Sequence, residues 1–357
     1  MTLSSLKLCI CVPISLALIG LAALFLIGKD GMTMEYKTIS KEHEHGNRLH
    51  EKRNEKSRRS VLIIYWSKIF SDIPRVNFNP VGWPYFFAGQ NCPIKCELTK
   101  DKRRAHDASA LVIHSRNTNE LPPKAFQNLT WILHTNENPI FTPSLRNPDI
   151  MRQFNYLTSY RLDSDFPCPG FLKPSLEPPQ PFSEKTGLVI VALSHCEPTR
   201  THYISALMNY IDVDSYGECL NNKAGLEREK SNSGHALMEM QRNYKFSLVF
   251  PNADCDYYMT EKIYSALSAG SVPVWLGTDK IDEVLKWGNL NKSVIKVKDF
   301  TSPKALAEYL LRLSQDEKEY NKYLKWKYEG FQFPKEYYTS PIGQWWDGLP
   351  LYCREYA

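Results

Sequence analysis

Four short clusters in this 357-residue chain hold residue types that can do chemistry. The densest runs Tyr244–Asn252, then Asp256–Lys262, and continues to Gly277. Its pattern is strand, loop and helix start. Thr260 is placed to cap that helix, and Glu261 falls in its first turn, where a carboxylate suits the positive end of the dipole. Backbone N–H groups at a helix start bind anions, and Lys262 adds a cation beside them. The set suits a diphosphate. It also reads as a capped surface helix with an exposed Glu–Lys pair. The second cluster, Trp131–Pro139, is a strand running into a polar loop. Glu137 lies just past the strand end, where a carboxylate can take a proton from an attacking hydroxyl. It equally reads as a surface loop glutamate.

The third cluster is Phe154–Asp165, with Tyr160-Arg161 before Asp163-Ser-Asp165. Asp-x-Asp is a metal-binding pattern, but Arg161 stands two residues from Asp163 and is placed to neutralise it, so no metal is expected. The fourth, Ser194–Tyr203, follows an apolar strand and carries Arg200 at a strand–loop–helix junction, where a phosphate can be clamped. Local pairing of a surface arginine is the other reading. His195 and His202 lack a carboxylate at metal spacing and are taken as structural. No G-x-S-x-G, H-E-x-x-H or Walker loop is present.

Apolar runs at 61–66, 110–114 and 130–134 read as buried strands, alternating with polar connections. Pro-rich 171–185 reads as a linker, because clustered prolines exclude helix and central strand. A second α/β unit follows: strands at 187–193, 212–217, 246–250 and 271–276, and helices at 201–210, 260–269 and 279–286. Gly270 stops the middle helix. Strands alternating with helices imply parallel sheets covered on both faces, with ligands at the carboxyl ends of the strands. The aromatic-rich tail after residue 330 is expected to pack back on the body.

Residues 8–28 carry no charge and suffice to cross one hydrocarbon core, so a signal anchor is expected there, with a cytosolic tail 1–7. Residues 29–59 are polar and nearly free of apolar side chains, a stem that cannot bury a core. Lys plus Arg is 44 against 39 Asp plus Glu. The excess belongs to the tether. From residue 60 onward the count is 34 against 33, too even a balance to argue for a nucleic-acid partner, and none is expected. Seven of the nine cysteines lie outside the anchor, and Cys92-x-x-x-Cys96 has no zinc-ligand partner motif. Disulfides in an oxidising lumen fit them better, with at least one thiol left over. Asn128-Leu-Thr130 and Asn291-Lys-Ser293 are glycosylation sequons. Together these favour a lumenal body.

Tyr244–Gly277 resembles the donor-binding motif of the α1,3-fucosyltransferases, roughly YKF-x-L-x-FEN, DY-x-TEK and AL-x-x-G-x-VPV-x-x-G. Phe154–Gly170, Asp212–Gly217 and Glu137 before Asn138-Pro139 are similar to further segments of that family. The resemblance implies a GT-B fold: two Rossmann-like domains facing across a cleft, here at 60–175 (acceptor side) and 176–335 (donor side); the segment 336–357 is expected to pack back on the body from its aromatic content alone. It implies an inverting, metal-independent transfer of L-fucose from GDP-β-L-fucose to a hydroxyl of a GlcNAc-containing glycan on a glycoprotein or glycolipid, in the Golgi. Glu137 aligns with the family's general base. Arg200, Asn252, Tyr258, Glu261 and Lys262 align with the residues that hold GDP-fucose. Arg200 and Lys262 would offset diphosphate charge, Glu261 would meet the ribose and Tyr258 the donor near the phosphates. Two departures stand out. Pro251 replaces a glutamate and Asn138 replaces a serine. A protein O-fucosyltransferase and an inactive lumenal scaffold of the same fold are the alternatives.

Overall fold

The computed structural model describes residues 61–67, 96–167, 169–226 and 235–347. The expected anchor 8–28, the stem 29–59 and the extreme C-terminus lie outside them, as do Cys92, Cys168 and Cys353. Among the described residues no helix is long and apolar enough to cross a membrane. The chain divides into two compact units. One holds the described residues up to His134 together with Ser144–Thr158; the other holds Thr135–Pro143 and the described residues from Ser159 onward.

The first sheet runs β2-β1-β3-β4-β5-β6, with β1 Val61–Tyr65, β2 Cys96–Thr99, β3 Ala110–His114, β4 Thr130–Thr135, β5 Tyr156–Ser159 and β6 Phe166–Pro167. β1 pairs in parallel with β2 and β3, and β3 with β4, in the register Ala110↔Thr130 to His114↔His134. Every residue of β3 is buried. That is why these strands are continuous apolar runs rather than alternating ones: a parallel sheet covered on both faces exposes neither. Leu62, Ile64, Leu111, Ile113 and Trp131 form the core there. The short helix α1 Pro148–Met151 precedes β5.

The second sheet is β7 Gly187–Leu193, β8 Val213–Gly217, β9 Tyr244–Val249, β10 Val272–Trp275 and β11 Ile295–Lys296, in the order β8-β7-β9-β10-β11. All four of its pairings are parallel. The crossover helices are α2 Pro198–Leu207, α3 His235–Gln241, α4 Glu261–Ala269 and α5 Ile281–Leu285. Helices α6 Pro303–Leu313, α7 Glu317–Asn321, α8 Lys325–Glu329 and α9 Pro341–Asp347 complete the unit. Val189, Val191, Phe246, Leu248, Val272 and Val274 meet Leu306 and Leu310 of α6 in its core. The order of strands reverses between β7 and β9. In a doubly wound sheet that reversal opens a crevice at the carboxyl ends, where ligands bind.

Residues 171–181 form neither helix nor strand, as their prolines require. They are strapped to the second unit. The buried Lys327 ammonium donates to the carbonyls of Ser175 (2.8 Å), Glu177 (3.0 Å) and Ser268 (3.0 Å). Trp346 Nε1 donates to the Phe171 carbonyl at 3.0 Å. The C-terminal aromatics divide: some pack inward, while Tyr338 is exposed. Tyr337 and Trp346 are buried, and Phe333 stacks on Tyr337 with centroids 3.8 Å apart.

Candidate functional site at the strand reversal

β7 ends at Leu193, and the loop Ser194–Glu197 leads into α2. The helix begins at Pro198, three residues before the expected Thr201. Two features move it. Pro198 presets the first helical φ and needs no N–H partner there. The Glu197 carboxylate then accepts from the backbone N–H of Thr199 (3.1 Å) and Arg200 (3.2 Å). Arg200 therefore sits in the first turn, and it is only 5% exposed.

Its guanidinium spans the reversal. One Nη donates to the Phe250 carbonyl at 2.8 Å, just past β9, and the other donates to the His195 carbonyl just past β7. The Nε–H is buried with no acceptor. Arg200 has no carboxylate ion pair among the described residues. Burial lowers its pKa from the ordinary value, with Glu197 and Tyr258 opposing. The group nonetheless stays charged, because arginine does not deprotonate in proteins. A buried cation satisfied mainly by carbonyls is electrostatically primed for an anion.

Asn252 follows Pro251 at the end of β9. The missing N–H of Pro251 falls outside the ladder, so it costs no sheet hydrogen bond. Asn252 Oδ1 accepts from Asn138 Nδ2 at 3.3 Å. Tyr258 is buried and meets the Tyr160 ring edge-on at 5.0 Å.

α4 starts on the same side of the sheet. Thr260 has the extended backbone of a cap, but its side chain accepts no cap hydrogen bond, contrary to expectation. Its Oγ1 is buried without a partner. Glu261 is 62% exposed and receives a 2.8 Å bond from Lys262 Nζ. This is the surface ion pair that the spacing allowed. Lys262 also borders a small recess lined by Ile190, Val191, Ala192, Leu237, Gln241 and Leu248, over the two strands that flank the reversal.

Glu137 is half-buried in the loop after β4. The Thr135 hydroxyl accepts from its N–H and donates to its carbonyl, both at 3.1 Å. The next residue, Asn138, is fully buried. Further along the loop, the Phe141 ring stands edge-on to His195, 5.1 Å away. Arg200, Asn252 and Tyr258 thus gather at the reversal, with the Glu137 loop joined to them through Asn138. Glu261 and Lys262 stand at the neighbouring helix start. Just upstream of Glu137, the buried His134 meets the His114 ring at 5.6 Å, and burial pushes its pKa down to about 3, so it is neutral.

Arg161 and Asp163 form a two-pronged pair at 2.7 Å, so that aspartate is already neutralised. Among the described residues no group of three or more His, Cys, Asp or Glu is arranged to hold a metal ion. Cys196 and Cys219 are disulfide-bonded, tying the β7–α2 loop to the segment after β8. Cys255 is a free thiol. Asn128 and Asn291 are both exposed. The sequence reading named Tyr160 without giving it a role, and it saw Asn138 only as a departure. An Asn before proline, two residues ahead of a free amide, is the local signal that was available.

A buried cation at a strand reversal, a nearby helix start with its lysine, and a loop that carries a glutamate are the parts that a group transfer with an anionic leaving group would need. The matches to known proteins agree in class. The fucosyltransferase N-terminal family model matches residues 58–170, and the C-terminal model of glycosyltransferase family 10 (fucosyltransferase) matches residues 182–344. The chain belongs to glycosyltransferase family 10. It is 30% identical over 292 residues to human GDP-fucose protein O-fucosyltransferase 3, covering 75% of this chain and 57% of that protein. It is 28% identical over 300 residues to Drosophila melanogaster alpha-(1,3)-fucosyltransferase B, covering 75% and 67% respectively. The chain therefore spans little more than half the length of the human relative. A crystal structure of an alpha1,3-fucosyltransferase with GDP-fucose shares the fold, with TM-score 0.51 and 17% identity over 77% of this chain and 84% of that one.

Proposed function

We propose that this chain is an inverting fucosyltransferase that moves L-fucose from GDP-β-L-fucose to an acceptor hydroxyl. The observation that carries it is Arg200, a buried cation with an unpartnered Nε–H at the β7/β9 reversal of a family 10 chain. Arg200 and Lys262 hold the diphosphate. Asn252, Tyr258 and Glu261 hold the rest of the donor. The Glu137 carboxylate takes the proton of the acceptor hydroxyl as that oxygen bonds to the anomeric carbon. The bond from that carbon to the phosphate oxygen breaks, and GDP leaves with the electron pair. Fixed cations offset the charge on GDP, so no metal is required. The two Rossmann-like units form a GT-B enzyme in this reading.

The motif resemblance supports an α1,3-fucoside on a GlcNAc-containing glycan. Similarity to the human protein O-fucosyltransferase supports a protein hydroxyl instead. The anchor at 8–28, the Cys196–Cys219 disulfide and the exposed sequons at Asn128 and Asn291 support a type II Golgi membrane protein with its body in the lumen. The test offers the full-length protein GDP-fucose with glycans and folded protein domains side by side, with and without EDTA. Transfer that survives EDTA is expected; donor binding without transfer to any acceptor would favour the inactive scaffold. Glu137→Gln is expected to cut transfer by about 10²–10⁴-fold while donor binding is kept. Wild-type turnover by that variant would remove Glu137 as the base.

A further inference from the structure

The Asn138 carboxamide makes three hydrogen bonds with no room for a flip. Its Oδ1 accepts from the N–H of Ile140 (3.0 Å) and Phe141 (3.2 Å). That leaves Nδ2 to face Asn252, whose Oδ1 receives it at 3.3 Å. Asn138 is 0% exposed and Asn252 is half-buried, so the Asn138 end of this chain of bonds is shielded from water. The geometry polarises Asn252 as well. With its oxygen committed to Asn138, its NH₂ is the half left for a ligand oxygen.

We propose that Asn138 is a positioning residue that couples donor binding at Asn252 to the placement of the Glu137 loop. The inference rests on the donor reading above. A donor oxygen that takes Asn252 Nδ2 fixes the carboxamide in the orientation that Asn138 requires, and bonds in such a series strengthen one another. The backbone next to Glu137 is then held, because Asn138 is its neighbour and the Thr135 hydroxyl already pins Glu137 itself. The edge contact of Phe141 on His195 fastens the far side of the loop, beside the carbonyl that Arg200 grips. A serine, which the family pattern has at this position, can accept from the Ile140 and Phe141 amides but is too short to reach Asn252. The link is therefore particular to an asparagine here.

The test is hydrogen exchange on the full-length protein with and without saturating GDP-fucose, beside a calorimetric titration of the same donor. In the wild type, donor binding is expected to slow exchange across 135–143 by about tenfold. Asn138→Ser is expected to bind the donor within about threefold of wild type, while the slowing of that loop falls below about twofold. Melting checks that the variant is folded. If it is not, Asn138→Thr offers the same hydroxyl acceptor. A serine or threonine variant that binds donor and keeps the wild-type slowing overturns the inference. So does a wild type that binds donor with no slowing of the loop. Failure of the wild type to bind GDP-fucose at all appears in the titration and removes the donor reading itself, and this coupling with it.

Discussion

At the scale of single residues, Arg200 ties two strand ends together, and the proposed donor site would use the same side chain. Its guanidinium bridges the carbonyls that end β7 and β9, and its Nε–H remains over. A lysine is a point charge on a flexible stem and cannot reproduce that planar fork. Arg200→Lys is expected to weaken GDP binding by about tenfold to a hundredfold, equivalent to roughly 1–3 kcal/mol, and to lower the melting temperature as well. Titration and melting separate the two effects. Unchanged GDP affinity would return Arg200 to a purely structural role. The sequence exposed Arg200 because a strand, a loop and a helix meet there. It could not expose the Phe250 carbonyl, which lies fifty residues away and is carried by backbone. For the same reason Asn138 looked like a mere replacement for serine: its partner Asn252 is 114 residues distant.

At the scale of elements, the strands were legible and the helix starts less so. The β3 and β7 bounds match their apolar runs because buried parallel strands have no polar face to blur the ends. α2 began early because a glutamate capped it, and Glu197 was not read as a cap beside the more usual Ser, Thr, Asp and Asn. α6 was missed altogether, although Ser302 accepts from the Ala305 N–H and Pro303 opens the helix. Gly270 was read correctly as the stop of α4. It holds φ +70°, and a Cβ there would strike Pro179 of the strap. Gly270→Ala is expected to destabilise the protein by about 1–3 kcal/mol, read as a lower urea midpoint. A second prediction concerns the β7–α2 loop. Cys196→Ser opens a crosslink between residues 23 apart in sequence. A loss of about 3 kcal/mol is expected, and a non-reducing melt that matches wild type would contradict it.

At the scale of the whole molecule, composition had little to say about partners, since most of the positive balance lies in residues 1–59. What fastens the proline-rich strap to the second unit is a buried lysine. Burial pushes Lys327 down to about 8 from its ordinary 10.5, with Arg242 adding to the effect. The folded state therefore holds fewer protons than the unfolded chain between about pH 8 and pH 10.5. Stability from this group rises with pH across that window. Lys327→Met removes that slope and leaves three carbonyls without their donor. A loss of about 2–4 kcal/mol is expected at pH 7, from chemical denaturation. A variant with an unchanged denaturation midpoint would show that the carbonyls find other donors. The strap that Lys327 holds also bears on how the protein can be cut. Trimming the chain at residue 182, where the C-terminal family match begins, would remove Phe171, Ser175 and Glu177 together. Trp346 would lose the carbonyl it donates to, and Lys327 would keep only Ser268. A soluble donor-binding fragment is better begun upstream of Phe171. For the same reason, proteases are expected to spare the proline-rich stretch that looks, on paper, like the easiest place to nick.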